Sequence, residues 1–257
     1  MRFKAMKIDD LRSAIMFITI IPVGNAPFSP IGMIRFFPVV GLILGLLLVC
    51  VDAFASLFWT APVVALIDAI FLVILTGAFH LDGLGDTSDG LFSHRSKERS
   101  LEIMKDSRTG VMGLIAIFIS LAIKIAGIYS VKILYSGSGD LLSEILVLTI
   151  VPSYSRASML FGIRYFKYGR DSGTGHSLFE KRLPLRDFIF ISVPVILSLM
   201  LGFKGLILNS FFVLTVFLIL LFYKKKMGCI TGDMLGAMCE ITESSLFLIC
   251  GAGLFIL

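Results

Sequence analysis

Charged side chains are scarce in this sequence. They make up 16% of the residues, where soluble domains carry roughly a quarter. With 57% hydrophobic residues and a mean hydropathy of +0.95, that scarcity excludes an ordinary soluble domain. Cysteine is sparse as well. Cys50, Cys229, Cys239 and Cys250 form no CxxC pair and lie in or beside apolar stretches. They read as small buried hydrophobes, which excludes a zinc ribbon and a disulfide framework. No small-residue cleavage site follows the first apolar stretch, 13–23, so a cleavable signal peptide is not expected. A continuous basic stripe is also missing. The net charge of +5 is spread over short groups between apolar runs, which argues against a nucleic-acid partner.

What the sequence does have is long apolar runs. A spanning helix needs about 20 apolar residues, and seven stretches qualify: 37–59, 61–79, 111–135, 141–163, 188–203, 205–223 and 234–257, of which 188–203 is the shortest. Pro62 opens the second, in a first-turn position, so the first two read as a tight helical hairpin. Stretch 13–23 is too short to span and ends near Pro22, which suits an interfacial or re-entrant helix. The expected fold is an all-α polytopic bundle, residues 1–257 forming one membrane-embedded catalytic domain. Basic residues test the count. Arg2, Lys4, Lys7 and Arg12 precede the first span; Arg95 to Arg108, Arg164 to Arg186 and Lys224 to Lys226 fall in the loops after the second, fourth and sixth. Seven spans put all four groups on one side, with the N-terminus in the cytoplasm.

Acids are concentrated rather than scattered. His-Leu-Asp-Gly-Leu-Gly-Asp-Thr-Ser-Asp-Gly occupies 80–90, directly after an apolar run. Asp82, Asp86 and Asp89 are spaced four and three residues apart, which stacks them on one helix face. Like charges so placed require protonation or a cation, and clustered carboxylates suit magnesium, manganese or calcium. Gly83, Gly85 and Gly90 are poor helix formers, so the stretch is also readable as a broken helix. Downstream, Asp106 can complete an oxygen shell, while Lys105 and Arg108 bring positive charge to phosphate oxygens. His80 is either an acid/base group or a hydrogen-bonded structural histidine.

A second group lies near the end of the chain. Asp233 stands at the mouth of the last apolar run, with Glu240 and Glu243 inside it. Acids in such a segment face a polar interior, functional or paired with a base. Asp233 and Glu240 are seven residues apart and share a face, and Thr231-Gly232 resembles a helix start that receives phosphate. Arg156, in or at the end of a span, is likewise functional or paired. Two rivals use similar residues: a phosphotransferase joining an alcohol to a nucleotide-activated lipid, and a cation-coupled transporter, which predicts inverted repeats and acids at mid-membrane.

These motifs resemble those of the cobalamin synthase (adenosylcobinamide-GDP ribazoletransferase) family. The likeness rests on 80–90, Arg99 and 101–108, and extends through Phe-Ile-Thr-Ile-Ile-Pro at 17–22, Phe-Pro-Val-Val-Gly-Leu-Ile-Leu-Gly at 37–45, Ser155-Arg156 and Thr-Gly-Asp-Met-Leu-Gly-Ala at 231–237 with Glu240 and Glu243. Gly85 replaces a usual alanine, and the 164–176 loop diverges, so no role is carried onto it. The acid cluster also looks like that of the CDP-alcohol phosphotransferases, an analogy at fold level. The resemblance implies a magnesium-dependent enzyme of the cytoplasmic (inner) membrane that joins adenosylcobinamide-GDP to α-ribazole or its 5′-phosphate and releases GMP, with manganese as an alternative ion. It implies a metal held by Asp82, Asp86, Asp89 and Asp106, and Asp89, Lys105 and Arg108 as catalytic groups, Asp89 accepting the ribose 3′-hydroxyl proton. Arg156, Asp233, Glu240 and His80 are the expected substrate-binding residues. The bilayer is the expected partner; assembly into a homo-oligomer is left open.

Overall fold

The computed structural model describes residues 8–25, 27–173 and 175–253. Arg2, Lys4 and Lys7, part of the first basic group, lie outside them. The described chain is helical: α1 (Ile8–Ile18), α2 (Pro30–Ile34), α3 (Phe37–Ala55), α4 (Ala61–Leu75), α5 (Phe79–Leu91), α6 (Lys97–Ile103), α7 (Val111–Ser136), α8 (Leu141–Tyr165), α9 (Ser192–Ser198), α10 (Phe203–Lys226) and α11 (Gly232–Cys250). Among the described residues there is no strand, only an isolated bridge between Tyr168 and Ile230.

Four helices are long and apolar enough to cross a membrane: α3, α7, α8 and α10. A fifth span appears if α4 and α5, bent by 87°, count as one. Seven were expected. Part of the difference is the stretch 188–203, which folds as α9 flanked by two 3-10 segments, Leu185–Ile191 and Leu199–Leu201. The rest is α11, which is 19 residues long but carries Asp233, Glu240 and Glu243.

The burial pattern is that of a protein whose outer solvent is apolar. Large hydrophobic side chains on α7 and α10, among them Phe118 and Phe217, are exposed, while Lys124, Arg156, Glu240 and Glu243 are buried. In water the exposed apolar faces would be costly; against hydrocarbon they are not, and charged groups belong inside the bundle where they can pair. The apolar helices therefore fit a membrane protein.

Helices α8 and α11 form the inside. Helix α11 packs against α5, α7, α8 and α10, and α3 lies along α8. Close approach of α3 and α8 depends on Gly41 and Gly45: a Cβ at either would run into the backbone of Pro152 or Thr149. Spaced four apart, they form the small-residue seam that lets helices meet where no hydrophobic force drives them together. Replacing both with alanine is expected to lower the thermal unfolding midpoint of the purified protein, through overpacking of about 1–3 kcal/mol per site. An unchanged midpoint would refute that reading of the seam.

The turn between α4 and α5 positions the acidic stretch. Gly77 (φ 57°) and Ala78 (φ 58°) are both left-handed, a conformation that costs an alanine about 1–2 kcal/mol. The chain breaks there and not among the glycines of 83–90, so the broken-helix reading of the acidic stretch is corrected. Those glycines serve contact instead. A Cβ on Gly83 would meet the backbone of Asp233 in α11, one on Gly85 the side chain of Ile117 in α7, and one on Gly90 the side chain of Met104. The helix survives its poor formers because each glycine admits a neighbour that buries its backbone.

Three basic loops meet at one end of the bundle. Arg170 donates to the carbonyl of Met104 at 3.1 Å. Gly169 N–H bonds to Ile230 O at 2.8 Å, and Ile230 N–H to Lys167 O at 3.1 Å. The loops before α7, after α8 and before α11 are thereby stitched together.

Candidate active site

At that end α5 lies against the start of α11. Since α5 is continuous, Asp82, Asp86 and Asp89 do share a face; Asp82 is exposed and the other two are half-buried. Asp86 stands in the field of Asp82, Asp233 and Asp89, opposed by Arg170. Asp233, in the first turn of α11, is held by Arg170 at 2.5 Å, and Thr231 caps that turn by accepting from Met234 N–H at 3.2 Å.

The carboxylates differ in what already occupies them. Asp89, the expected proton acceptor, takes the backbone N–H of Gly110 at 2.7 Å and of Gly113 at 2.8 Å, one on each oxygen. It caps α7, where unpaired N–H groups and the helix dipole both favour a carboxylate. Gly113 and Gly110 are required there because a Cβ on either would strike the Asp89 carboxylate. Asp106 is gripped by Arg108, Nε at 3.0 Å and Nη2 at 2.6 Å, and that guanidinium lowers its carboxyl to about 2. The side chains of Asp82 and Asp86, by contrast, have no hydrogen bond or ion pair among the described residues. Lys105 is exposed beside the site, and the side chain of Arg108 is 87% exposed.

This donor set fits a hard divalent cation. No three His, Cys, Asp or Glu side chains among the described residues stand close enough to hold an ion alone. Magnesium, however, commonly takes one or two carboxylates and completes its shell with water and substrate phosphates. The two unpaired carboxylates on one face of α5 match that requirement.

The lowered carboxyl of Asp106 has a definite consequence for pH dependence. Its folded value lies below the ordinary 3.8, so the Asp106–Arg108 pair contributes above that pH and is lost only as pH falls through about 2. Any acid limb of activity between pH 4 and 7 therefore belongs to other groups, and Asp106→Asn should leave its midpoint in place. A pH–rate profile checks this; a midpoint moved by more than about half a unit would contradict it.

The remaining expected residues are placed elsewhere. His80 precedes Asp82 by two residues and lies on the other side of α5, fully buried, its Nδ1 3.8 Å from Cys239 Sγ. It lines a cavity of about 20 Å³, room for one water. Glu240 lies two turns deeper than Asp233 and is bound to Lys124 at 2.7 Å. Glu243 takes Lys124 at 2.7 Å, Ser155 Oγ at 3.0 Å and a close Arg156 guanidinium. Arg156 and Glu240 thus sit in a buried ion network between α7, α8 and α11, apart from the α5 carboxylates. Sequence reasoning missed Lys124, hidden in the apolar run of α7, and Arg170, in the divergent loop.

Across residues 10–251 the chain matches the model of the cobalamin-5-phosphate synthase family. The chain belongs to this family. Members named adenosylcobinamide-GDP ribazoletransferase include that of Roseiflexus sp. (strain RS-1), 38% identical over 90% of this chain and 84% of its own. The Alkaliphilus metalliredigens protein is 37% identical over 95% of this chain and 96% of its own. The Escherichia coli (strain K12 / DH10B) protein is 34% identical over 80% and 82%. No solved structure matches the chain. The cobalamin-5-phosphate synthase match takes in both the α5 carboxylates and the Asp233–Arg170 pair, so the site lies within the family's shared region.

Proposed function

We propose that this chain joins adenosylcobinamide-GDP to α-ribazole, or to its 5′-phosphate, with release of GMP. The observation that supports the reading most directly is the pair of unpartnered carboxylates, Asp82 and Asp86, beside Asp233–Arg170 where the basic loops converge. That is the donor set a pyrophosphate and its counter-ion require: acids for a metal, bases for phosphate oxygens.

In the proposed reaction the ribose 3′-oxygen attacks the phosphorus that bears the cobinamide ester. The bond between that phosphorus and the bridging oxygen breaks, and GMP departs with the bridging oxygen. Asp82 and Asp86 would hold magnesium, which when bound supplies charge neutralisation at the pyrophosphate oxygens. Arg170, Lys105 and Arg108 stabilise the same oxygens from the protein side. The hydroxyl proton passes to whichever of Asp82 and Asp86 has an oxygen free of the ion; Asp89 positions α7 against α5. The positive residues at this end support a site on the cytoplasmic side of the membrane.

Incubation of the purified protein with adenosylcobinamide-GDP and α-ribazole tests the proposal. Joined corrinoid and GMP should appear in equal amounts, only with both substrates and magnesium. Product formation undiminished in EDTA would refute the metal assignment; no product under any divalent ion would refute the reaction.

A further inference from the structure

Beyond the α5 site lies a cavity of about 490 Å³, walled by the end of α8, the segment after it and residues 176–182. Its volume falls within the ~300–1,000 Å³ of small-molecule sites. Arg164, Lys167, Lys181 and Arg182 line it, opposed by a single carboxylate, Glu180. None of the four cations is in an ion pair among the described residues. Lys167, Lys181 and Arg182 are exposed, while Arg164 is half-buried and has an Nε with no partner, although its Nη1 donates to Leu183 O at 2.9 Å. Four cations against one carboxylate around a cavity of this size make a place for an anion. Aromatic rings complete the wall. Tyr165 is 63% exposed, and Tyr168 packs edge-on against His176.

The cavity is tied to the acidic site by the chain itself. Tyr168 lines it; two residues on, Arg170 reaches Asp233. The pairing of 167–169 with Ile230 holds both ends in register with the start of α11. A ligand with a base, a ribose and phosphates could lie with its anion on the cations and its reacting end toward Arg170.

We propose that this cavity is the nucleotide subsite. It takes the GMP portion of the activated substrate, the nucleotide's own phosphate on Arg164, Lys167, Lys181 and Arg182 and the base against Tyr165, with the reacting phosphate toward Arg170. The assignment rests on the reaction proposed above. Phosphate chemistry alone is shared by the head groups of anionic lipids, so the test separates the two sources.

The experiment uses the full chain in nanodiscs of neutral lipid and measures GMP, GDP and pyrophosphate binding by equilibrium dialysis. For Lys181→Ala/Arg182→Ala, affinity for GMP and GDP should fall roughly 10- to 100-fold, and KM for adenosylcobinamide-GDP should rise in parallel. Tyr165→Ala should weaken GMP but leave pyrophosphate unchanged, because only the nucleotide offers a ring to stack. If the double variant binds GMP and GDP like wild type and loses only its preference for anionic-lipid nanodiscs, the cavity is a lipid site and the proposal is overturned. Active wild-type protein whose KM is unmoved by the double variant likewise overturns the subsite and leaves the reaction standing. Nucleotide binding that follows the predicted pattern in a protein forming no corrinoid product would instead overturn the reaction and leave the nucleotide site.

Discussion

Asp86→Asn should cut magnesium-dependent GMP release by about 10²- to 10³-fold while leaving the thermal unfolding midpoint unchanged or raised. The two halves of this result have one cause. Asp86 has no partner of its own and stands among Asp82, Asp233 and Asp89, with Arg170 the opposing charge. An amide of the same shape removes like-charge repulsion, so the protein loses nothing by the change. The same charge is what a divalent ion needs, so the activity is lost. Asp82→Asn should behave alike. Asp89→Asn should not: it weakens the cap on α7 formed with Gly110 and Gly113, so midpoint and activity should fall together. Rates of GMP release and unfolding curves on the three proteins distinguish the cases. Wild-type, magnesium-dependent rates in Asp82→Asn and Asp86→Asn would remove α5 from the metal site.

Lys124→Met should be the most destabilising single change in the bundle. Lys124 lies between Glu240 and Glu243 at 2.7 Å from each, fully buried. Without it, two carboxylates remain with Arg156 as the only cation of that network. Removing one partner of a buried pair costs about 3–5 kcal/mol, because the other charge stays uncompensated. Lys124→Met/Glu240→Gln should recover part of the loss, since it deletes both ends of one pair, and the double-mutant cycle measures their coupling. Thermal unfolding in nanodiscs provides the readout. A single variant that melts with wild type would mean the carboxylates are neutral without the lysine.

Part of the candidate site's geometry was legible before any fold. The four-and-three spacing of Asp82, Asp86 and Asp89 stacks carboxylates on any helix, whatever surrounds it, and α5 is such a helix. The shortage of charge and the long apolar runs specified lipid-facing helices for the same reason: they are properties of composition and period. Span counting was less secure. Hydropathy treats the 188–203 stretch as one unit, yet it folds as short 3-10 and α pieces, and it cannot weigh acids in α11 that are paired inside the bundle.

Occupancy was not legible at all. Spacing treats Asp89, Asp106, Asp82 and Asp86 alike. Only the packed chain shows that Gly110 and Gly113 consume Asp89, that Arg108 consumes Asp106, and that two carboxylates remain free. Likewise, Asp233 and Glu240 share a helix face in sequence, but seven residues separate them by about 10 Å along the axis. One meets Arg170 at the rim and the other Lys124 in the interior.

By itself, the sequence determined an all-helical membrane enzyme of a recognisable family with a carboxylate face on one helix, because helical period and hydrophobicity act within a segment. Tertiary structure alone decided which acids are neutralised and which stay available. A carboxylate's fate depends on the charge nearest in space, and Lys124 and Arg170, the two that matter most here, lie 116 and 63 residues away along the chain.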